Sequence, residues 1–222
     1  MISMKVKYIL TLFLLVLVKV NVNAQLDANS NKLSMPTGKS INETRIDNVK
    51  GDPNLFKDWT RGTVSLVGET GSYPNLELLY DQVKDKLYFK SGNEKLEFTK
   101  PVKEFQISDG KVTNTYRSGF PNIDKNNDLT LYQILLDGKI KLIKQTKKDV
   151  VTTKGYNEVT EMRYDAKVKY YVVDGAAFYE IKPNKKGISA AITEKGLNAS
   201  QQLQANPTLK SEGDLITFFK TI

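Results

Sequence analysis

The chain has 222 residues and a formal charge of +8, with 33 Lys and Arg against 25 Asp and Glu, and it contains no His and no Cys. Those two absences exclude imidazole acid–base chemistry, thiol nucleophiles, Cys/His zinc sites and disulfide bonds together. An enzyme built on this chain would need paired carboxylates, Ser-Lys or Tyr chemistry, or a metal held by oxygen ligands alone.

Met1 to Ala24 reads MISMKVKYILTLFLLVLVKVNVNA. Lys5 and Lys7 form a positive start and Tyr8 to Val18 an apolar stretch. Val22 and Ala24 then give the small-residue spacing of a signal-peptidase site, so cleavage is expected before Gln25. The apolar run is 11 residues before Lys19 interrupts it. A membrane span needs roughly 20, so an export signal is expected and no span after cleavage. Without Cys a lipid-modified N-terminus is excluded. Removal of the first 24 residues leaves 198, enough for one domain with its own core, and lowers the charge to +5 because only Lys5, Lys7 and Lys19 leave.

A basic chain invites nucleic acid, anionic lipid or an acidic polymer as partner. Arg occurs only at 45, 61, 117 and 163. Base readout and bidentate phosphate binding favour Arg, so nucleic acid is not expected as a partner.

Gln25 to Lys57 is rich in Asn, Ser, Asp and Lys and reads as an extended polar arm, partly disordered at its start. Residues 58–182 read as an antiparallel β domain. Trp59 is expected to anchor its core or edge. Thr63–Val67 begins the strands. In Asn75–Asp81 the residues Leu76, Leu78 and Tyr80 share one face at period two, with Leu79 on the other. Leu87–Lys90 and Leu96–Thr99 flank a Ser91-Gly92-Asn93 turn, and Pro101 marks a bend before Val102–Ser108. Asp109-Gly110, Asp137-Gly138 and Asp174-Gly175 are three hairpin apices, with strands Val112–Arg117, Leu131–Lys147 and Lys169–Lys182 around them. Thr152–Asp165 reads as loop with a short strand around Glu161–Tyr164.

Residues 183–222 change period and read as a helical cap laid on the sheet. Ile188, Ala191 and Ile192 suggest one short helix, and Leu197–Ala205 a second, stopped by Asn206-Pro207. Ser211-x-x-Asp214 resembles a capping box ahead of a third, whose Leu215, Ile216, Phe218, Phe219 and Ile222 recur at helical spacing.

Candidate motifs dissolve on inspection. Asp124-x-Asn126-x-Asp128 matches half a calcium loop, but Leu129 stands where Gly belongs and Leu135 where the bidentate Glu belongs. Ser108-Asp-Gly-Lys111 spells S-x-x-K across a hairpin turn instead of a helix start. Carboxylate pairs Asp81/Asp85 and Glu158/Glu161 exist without any sign that they meet in a cleft. Asn42-Glu-Thr44 and Asn198-Ala-Ser200 match glycosylation letters. Tyr170, Tyr171 and Tyr179 could line a groove, yet Tyr also simply suits half-buried strands. No catalytic, cofactor-binding or metal residue is expected, and no cofactor.

Several stretches carry a likeness: Trp59-x-x-Gly62-Thr-Val64, Leu78-Leu-Tyr80-Asp, Asp85-Lys-Leu-Tyr88-Phe, Pro101-Val-Lys-Glu-Phe105, the Leu131–Gly138 hairpin and Glu212-x-Asp214-Leu-Ile-x-Phe218-Phe219. In these the chain resembles a group of uncharacterised exported proteins of Bacteroidota. The resemblance implies a signal-bearing protein of the periplasm, outer envelope or exterior, and brings no catalytic residue with it.

The expected fold is mainly β: an antiparallel meander of about ten strands, a twisted sheet or partly closed barrel, with short C-terminal helices. The expected function is that of a non-enzymatic envelope protein binding a protein or polymer partner. A β-cavity carrier of a small apolar ligand is the alternative, and a carboxylate-based hydrolase stands third. An exposed, Lys-lined sheet edge would be ordinary protection against aggregation and not a site.

Overall fold

The computed structural model describes residues 33–41, 48–154, 160–205 and 209–222. The export signal Met1–Ala24, the arm as far as Lys32, the Asn42–Thr44 sequon, Glu158 and the Asn206-Pro207 stop lie outside them.

The described residues form one twelve-stranded, mostly antiparallel open sheet with three short helices after it. The strands are β1 (Gly38–Ser40), β2 (Val49–Lys50), β3 (Thr60–Leu66), β4 (Tyr73–Asp81), β5 (Lys86–Ser91), β6 (Glu94–Phe98), β7 (Val102–Ser108), β8 (Thr113–Arg117), β9 (Tyr132–Asp137), β10 (Ile140–Lys154), β11 (Thr160–Asp174) and β12 (Ala177–Ile181). Their order across the sheet is β1-β6-β5-β4-β3-β7-β8-β9-β10-β11-β12, with β2 paired in parallel beside β11. The mainly β fold with a helical tail is as the sequence predicts, and all three Asp-Gly turns cap hairpins.

Period-two patterning explains the first half of the sheet. Leu76, Leu78 and Tyr80 of β4 are buried on one face, joined by Val64 and Leu66 of β3 and by Phe105 and Ile107 of β7. Aromatic rings fill this core. Phe105 stacks on Tyr116 with centroids 4.7 Å apart and meets the edge of Tyr80 at 5.2 Å. Phe89 and Phe98 lie 4.6 Å apart beside them.

The second half of the sheet buries both faces. Leu142, Val172, Tyr179 and Ile181 point to the helices, while Ile143, Tyr171 and partly buried Phe178 point to the β8–β9 connection, where Phe120 covers them. The helices are α1 (Lys185–Lys195), α2 (Ser200–Ala205) and α3 (Glu212–Phe219). Ile188, Leu197, Leu215, Phe218 and Phe219 turn their apolar stripes onto the sheet. The capping box at α3 forms: Ser211 accepts from the Asp214 amide at 3.1 Å and Asp214 accepts from the Ser211 amide at 3.0 Å. Such a cap contributes about 1 kcal/mol. Lys144 and Tyr170 both reach Glu212, each at 2.9 Å, tying α3 to β10 and β11.

The sequence reading departs from the structure in two places. Thr152–Asp165 is not loop with a short strand. β10 and β11 stay in register for fifteen pairs, from Ile140↔Asp174 to Lys154↔Thr160. Beyond Lys144 neither face carries enough buried apolar residues for alternation to show. The strand count is also higher than ten, because β1 and β2, of 3 and 2 residues, are too short for any periodicity.

The polar arm contributes those two strands and works as a strap. β1 pairs with β6 at one edge of the sheet and β2 with the far part of β11. Ser40 and Val49 are nine residues apart, so the chain between them can span no more than about 30 Å. The sheet therefore curls strongly while remaining open. Among the described residues no helix is long and apolar enough to cross a membrane.

Candidate functional site

A cleft of about 500 Å³ lies where four pieces of chain converge: the β4–β5 turn, the β6–β7 turn, the end of the β8–β9 connection and the middle of β10. That volume is within the range of ligand-sized pockets. Each wall is fixed by short-range chemistry. In the β4–β5 turn, Asp81 accepts from the Val83 and Lys84 amides at 2.8 and 3.0 Å, an Asx turn that suits the Asp side chain. Asp85 follows at φ +54, a left-handed conformation that Asp tolerates better than most residues. In the β8–β9 connection, Gly119 donates to the Asp128 carbonyl at 2.6 Å and Leu129 to the Asn127 side chain at 3.0 Å.

Asp85 joins two of these walls. It accepts from the Tyr80 hydroxyl at 2.6 Å and from the Leu131 amide at 3.2 Å. Burial raises its pKa above the ordinary carboxylate value, opposed by those two hydrogen bonds and by the positive charges of Lys147 and Lys86. The Tyr80 hydroxyl, fully enclosed, is pushed well above its usual pKa by burial and then by Asp85. Within the lining of the cleft Asn126 and Gln145 exchange amide hydrogen bonds, both at 3.0 Å.

Behind the turn runs the strap. The Gln82 amide donates to the Pro53 carbonyl at 2.9 Å and its carbonyl accepts from the Lys148 amide at 3.0 Å. The Lys148 ammonium donates to the Asp52 and Asn54 carbonyls at 3.0 and 2.6 Å. Burial lowers its pKa.

Charge distinguishes the lining. Lys84, Lys86, Lys100, Lys125 and Lys147 contribute to it, against Asp85 and Glu97. Lys86 is paired with Glu97, and Lys100 with Glu69 at 2.8 Å. Lys125 and Lys147 are exposed and make no ion pair among the described residues. Among the described residues Phe98 is the one aromatic residue of the lining, and it is buried in the core.

The raised pKa of Asp85 has a testable sign. A carboxyl whose folded pKa lies above its unfolded one favours the fold fully below the unfolded pKa, and that contribution is lost as pH rises through the folded value. Asp85→Asn removes the buried charge yet can still accept from Leu131 and donate to Tyr80. Urea unfolding at about pH 3 and about pH 7 should show the variant gaining on the parent at the higher pH. A difference that stays constant, or turns against the variant at pH 7, would mean that the charge is well accommodated.

The residues singled out in the sequence are scattered. Asp124, at φ +52, points its carboxylate to Lys169 at 3.2 Å while Asn126 faces Gln145, so the half calcium loop does not converge. Among the described residues no group of three acidic side chains gathers to hold a metal. Ser108 and Asp109 accept amide hydrogens within their own turn, as Ser-Asp-Gly predicts. Asp81 and Asp85 share a turn but serve separate partners, and Glu161 pairs with Lys50 at 2.7 Å. Tyr171 and Tyr179 are buried and Tyr170 is held by Glu212, so the three form no exposed row. Trp59 stands partly exposed at the start of β3 beside a shallow hollow with Phe56 and Arg61.

What sequence reasoning missed is the gathering of Lys125, Asn126, Gln145 and Lys147. The polar run Asp124–Asp128 and the i, i+2 pair Gln145/Lys147 were the only signals available. Compared with known proteins, this chain matches no family model, no curated protein and no solved structure.

Proposed function

We propose that this is an exported, non-enzymatic envelope protein, of the periplasm or outer envelope, that binds a partner in the lysine-lined cleft. The observation that carries the reading is the cleft itself: a ligand-sized hollow whose walls are joined by hydrogen bonds through Asp85 and the Asn126–Gln145 pair, with the exposed lysines Lys125 and Lys147 in its lining. The export signal read in Met1–Ala24 and the resemblance to exported Bacteroidota proteins support the location. An apolar carrier has less support, because the buried face of the first half of the sheet is filled by the Tyr80–Phe105–Tyr116 ring cluster. A carboxylate hydrolase also has less, since Asp85 and Glu97, the two acids of the lining, are each committed to a partner.

Crosslinking in cells tests this. Leu129 is 51% exposed at the cleft, and Val112 is 59% exposed beyond the opposite end of β7 from Val102. A photoactivatable residue at 129 should give a discrete adduct, protein or glycan, that the same residue at 112 does not give. Equal adducts from both, or none from either, would sink the proposal.

A further inference from the structure

We infer that the occupant of the cleft is a linear anionic polysaccharide, gripped by Lys125 and Lys147 in the cleft that the Asn126–Gln145 amide pair also lines. This rests on the cleft's being the binding site, and it names the chemistry that the site selects.

The placement is set by backbone geometry. Lys147 follows Gln145 by two residues on β10, so the two side chains leave the same face of the strand. Lys125 precedes Asn126, whose amide is hydrogen-bonded to that of Gln145. Both lysines and both amides line the cleft. Asn126 also donates to the Tyr171 hydroxyl at 3.4 Å and Gln145 accepts from it at 3.5 Å, so one N–H of Gln145 and one lone pair of the Asn126 oxygen are left for ligand hydroxyls. The other charges of the lining are already engaged: Glu97 with Lys86, Lys100 with Glu69, Asp85 with Tyr80 and Leu131, and Lys84 with a partner of its own. Lys125 and Lys147 are therefore the exposed cations of the lining that make no ion pair among the described residues.

Three features decide the class of ligand. Protein partners are held mainly by desolvated aromatic or aliphatic anchors, and the cleft offers Leu129 as its one large exposed apolar side chain. Neutral sugars and nucleobases are held by stacking on open aromatic faces, and Phe98, the sole aromatic of the lining among the described residues, is buried. The cations are Lys, compact point charges that tolerate varied geometry, and none is Arg, the residue suited to bidentate recognition of one fixed anion. A ligand that repeats its anions along a chain, and carries hydroxyls between them, meets all three conditions. A flat lipid surface would not reach the part-buried amide pair.

The test uses the purified full chain lacking only residues 1–24, with dextran, dextran sulfate and polygalacturonate as probes in fluorescence anisotropy or calorimetry. Both polyanions should bind, with log K falling linearly against log salt, and dextran should not. The double variant Lys125→Glu/Lys147→Glu should lose at least about tenfold in affinity and show a shallower salt slope. The matched control Lys185→Glu/Lys186→Glu, with the same charge change on α1, should keep wild-type affinity. Both pairs are exposed, and unchanged thermal unfolding checks their folding; Lys125→Gln/Lys147→Gln should give an intermediate loss. Equal loss in both reversals would reduce the effect to net charge and overturn the inference. So would equal binding of dextran, or binding to anionic lipid vesicles without binding to either polyanion. A discrete partner captured from position 129 together with no polyanion binding would discard this ligand class and leave the binding role intact.

Discussion

Replacing Phe105 by Ala should cost the fold about 3–5 kcal/mol, the range for truncating a fully buried aromatic residue. Phe105 has no exposed surface and sits on β7 between Val64 of β3 and Tyr116 of β8. Its ring is parallel to that of Tyr116 within 3° and edge-on to Tyr80. Each such aromatic contact is worth about 0.5–1.5 kcal/mol beyond the buried area. Domains of this size have about 5–15 kcal/mol in total, so the variant should unfold at much lower denaturant with an unchanged slope. The effect should also reach the cleft, because Tyr80 holds Asp85 and leans on Phe105. Phe105→Leu, which keeps most of the volume, should lose far less. A loss from Phe105→Ala below about 1.5 kcal/mol would mean that the first core collapses around the gap and does not depend on the ring cluster.

Gly62→Ala should be as damaging from the addition of one methyl group. A Cβ at Gly62 would lie 2.2 Å from the Gln106 carbonyl oxygen and 2.4 Å from Leu78 Cδ1. Leu78 could rotate, but the carbonyl belongs to the backbone of β7, which pairs with β3 there through Gly62↔Ile107. Relief requires the β3–β7 ladder to separate at the centre of the sheet. Overpacking usually costs about 1–3 kcal/mol, and this position should lie at or above the upper end because no side-chain movement resolves it. The readout is thermal or urea unfolding together with amide exchange on β3 and β7. Full stability with unchanged exchange would show that the strands give way easily at the adjacent irregularity between Gly62 and Val64.

Much of the sheet could be read directly because its signals are local. Leu76, Leu78 and Tyr80 alternate within five residues, and Asp-Gly turns fix three hairpins without reference to the rest of the chain. The capping box at Ser211 and the Leu215–Phe219 stripe are equally local. The long outer part of β10 and β11 was hidden for the opposite reason. There the strands are held by the nine backbone pairs from Thr146↔Val168 to Lys154↔Thr160 and not by a buried face, so TKKDVVTTK carries no period. β1 and β2 exist only because distant strands accept them. The cleft was illegible for the same cause: Asp85, Leu131 and Gln145 come from separate stretches, and only the curl of the sheet brings them together. The sequence did flag Asp85, but as half of a carboxylate pair and not as a link to Leu131.

The strap has a consequence in chain entropy. From β3 to β12, every pairing except β3 with β7 joins strands consecutive in the chain, most across short turns. Lys148 meets Asp52 across 96 residues, and Thr99 meets Thr37 across 62. Closing a loop of that length in place of a four-residue turn costs about 3 kcal/mol more, since the cost grows as the logarithm of the residues enclosed. The hairpins can therefore form one after another at low cost, and the strap is favoured only once the sheet has curled enough to bring its two docking strands within reach. A chain emerging N-terminus first presents this segment first and uses it last.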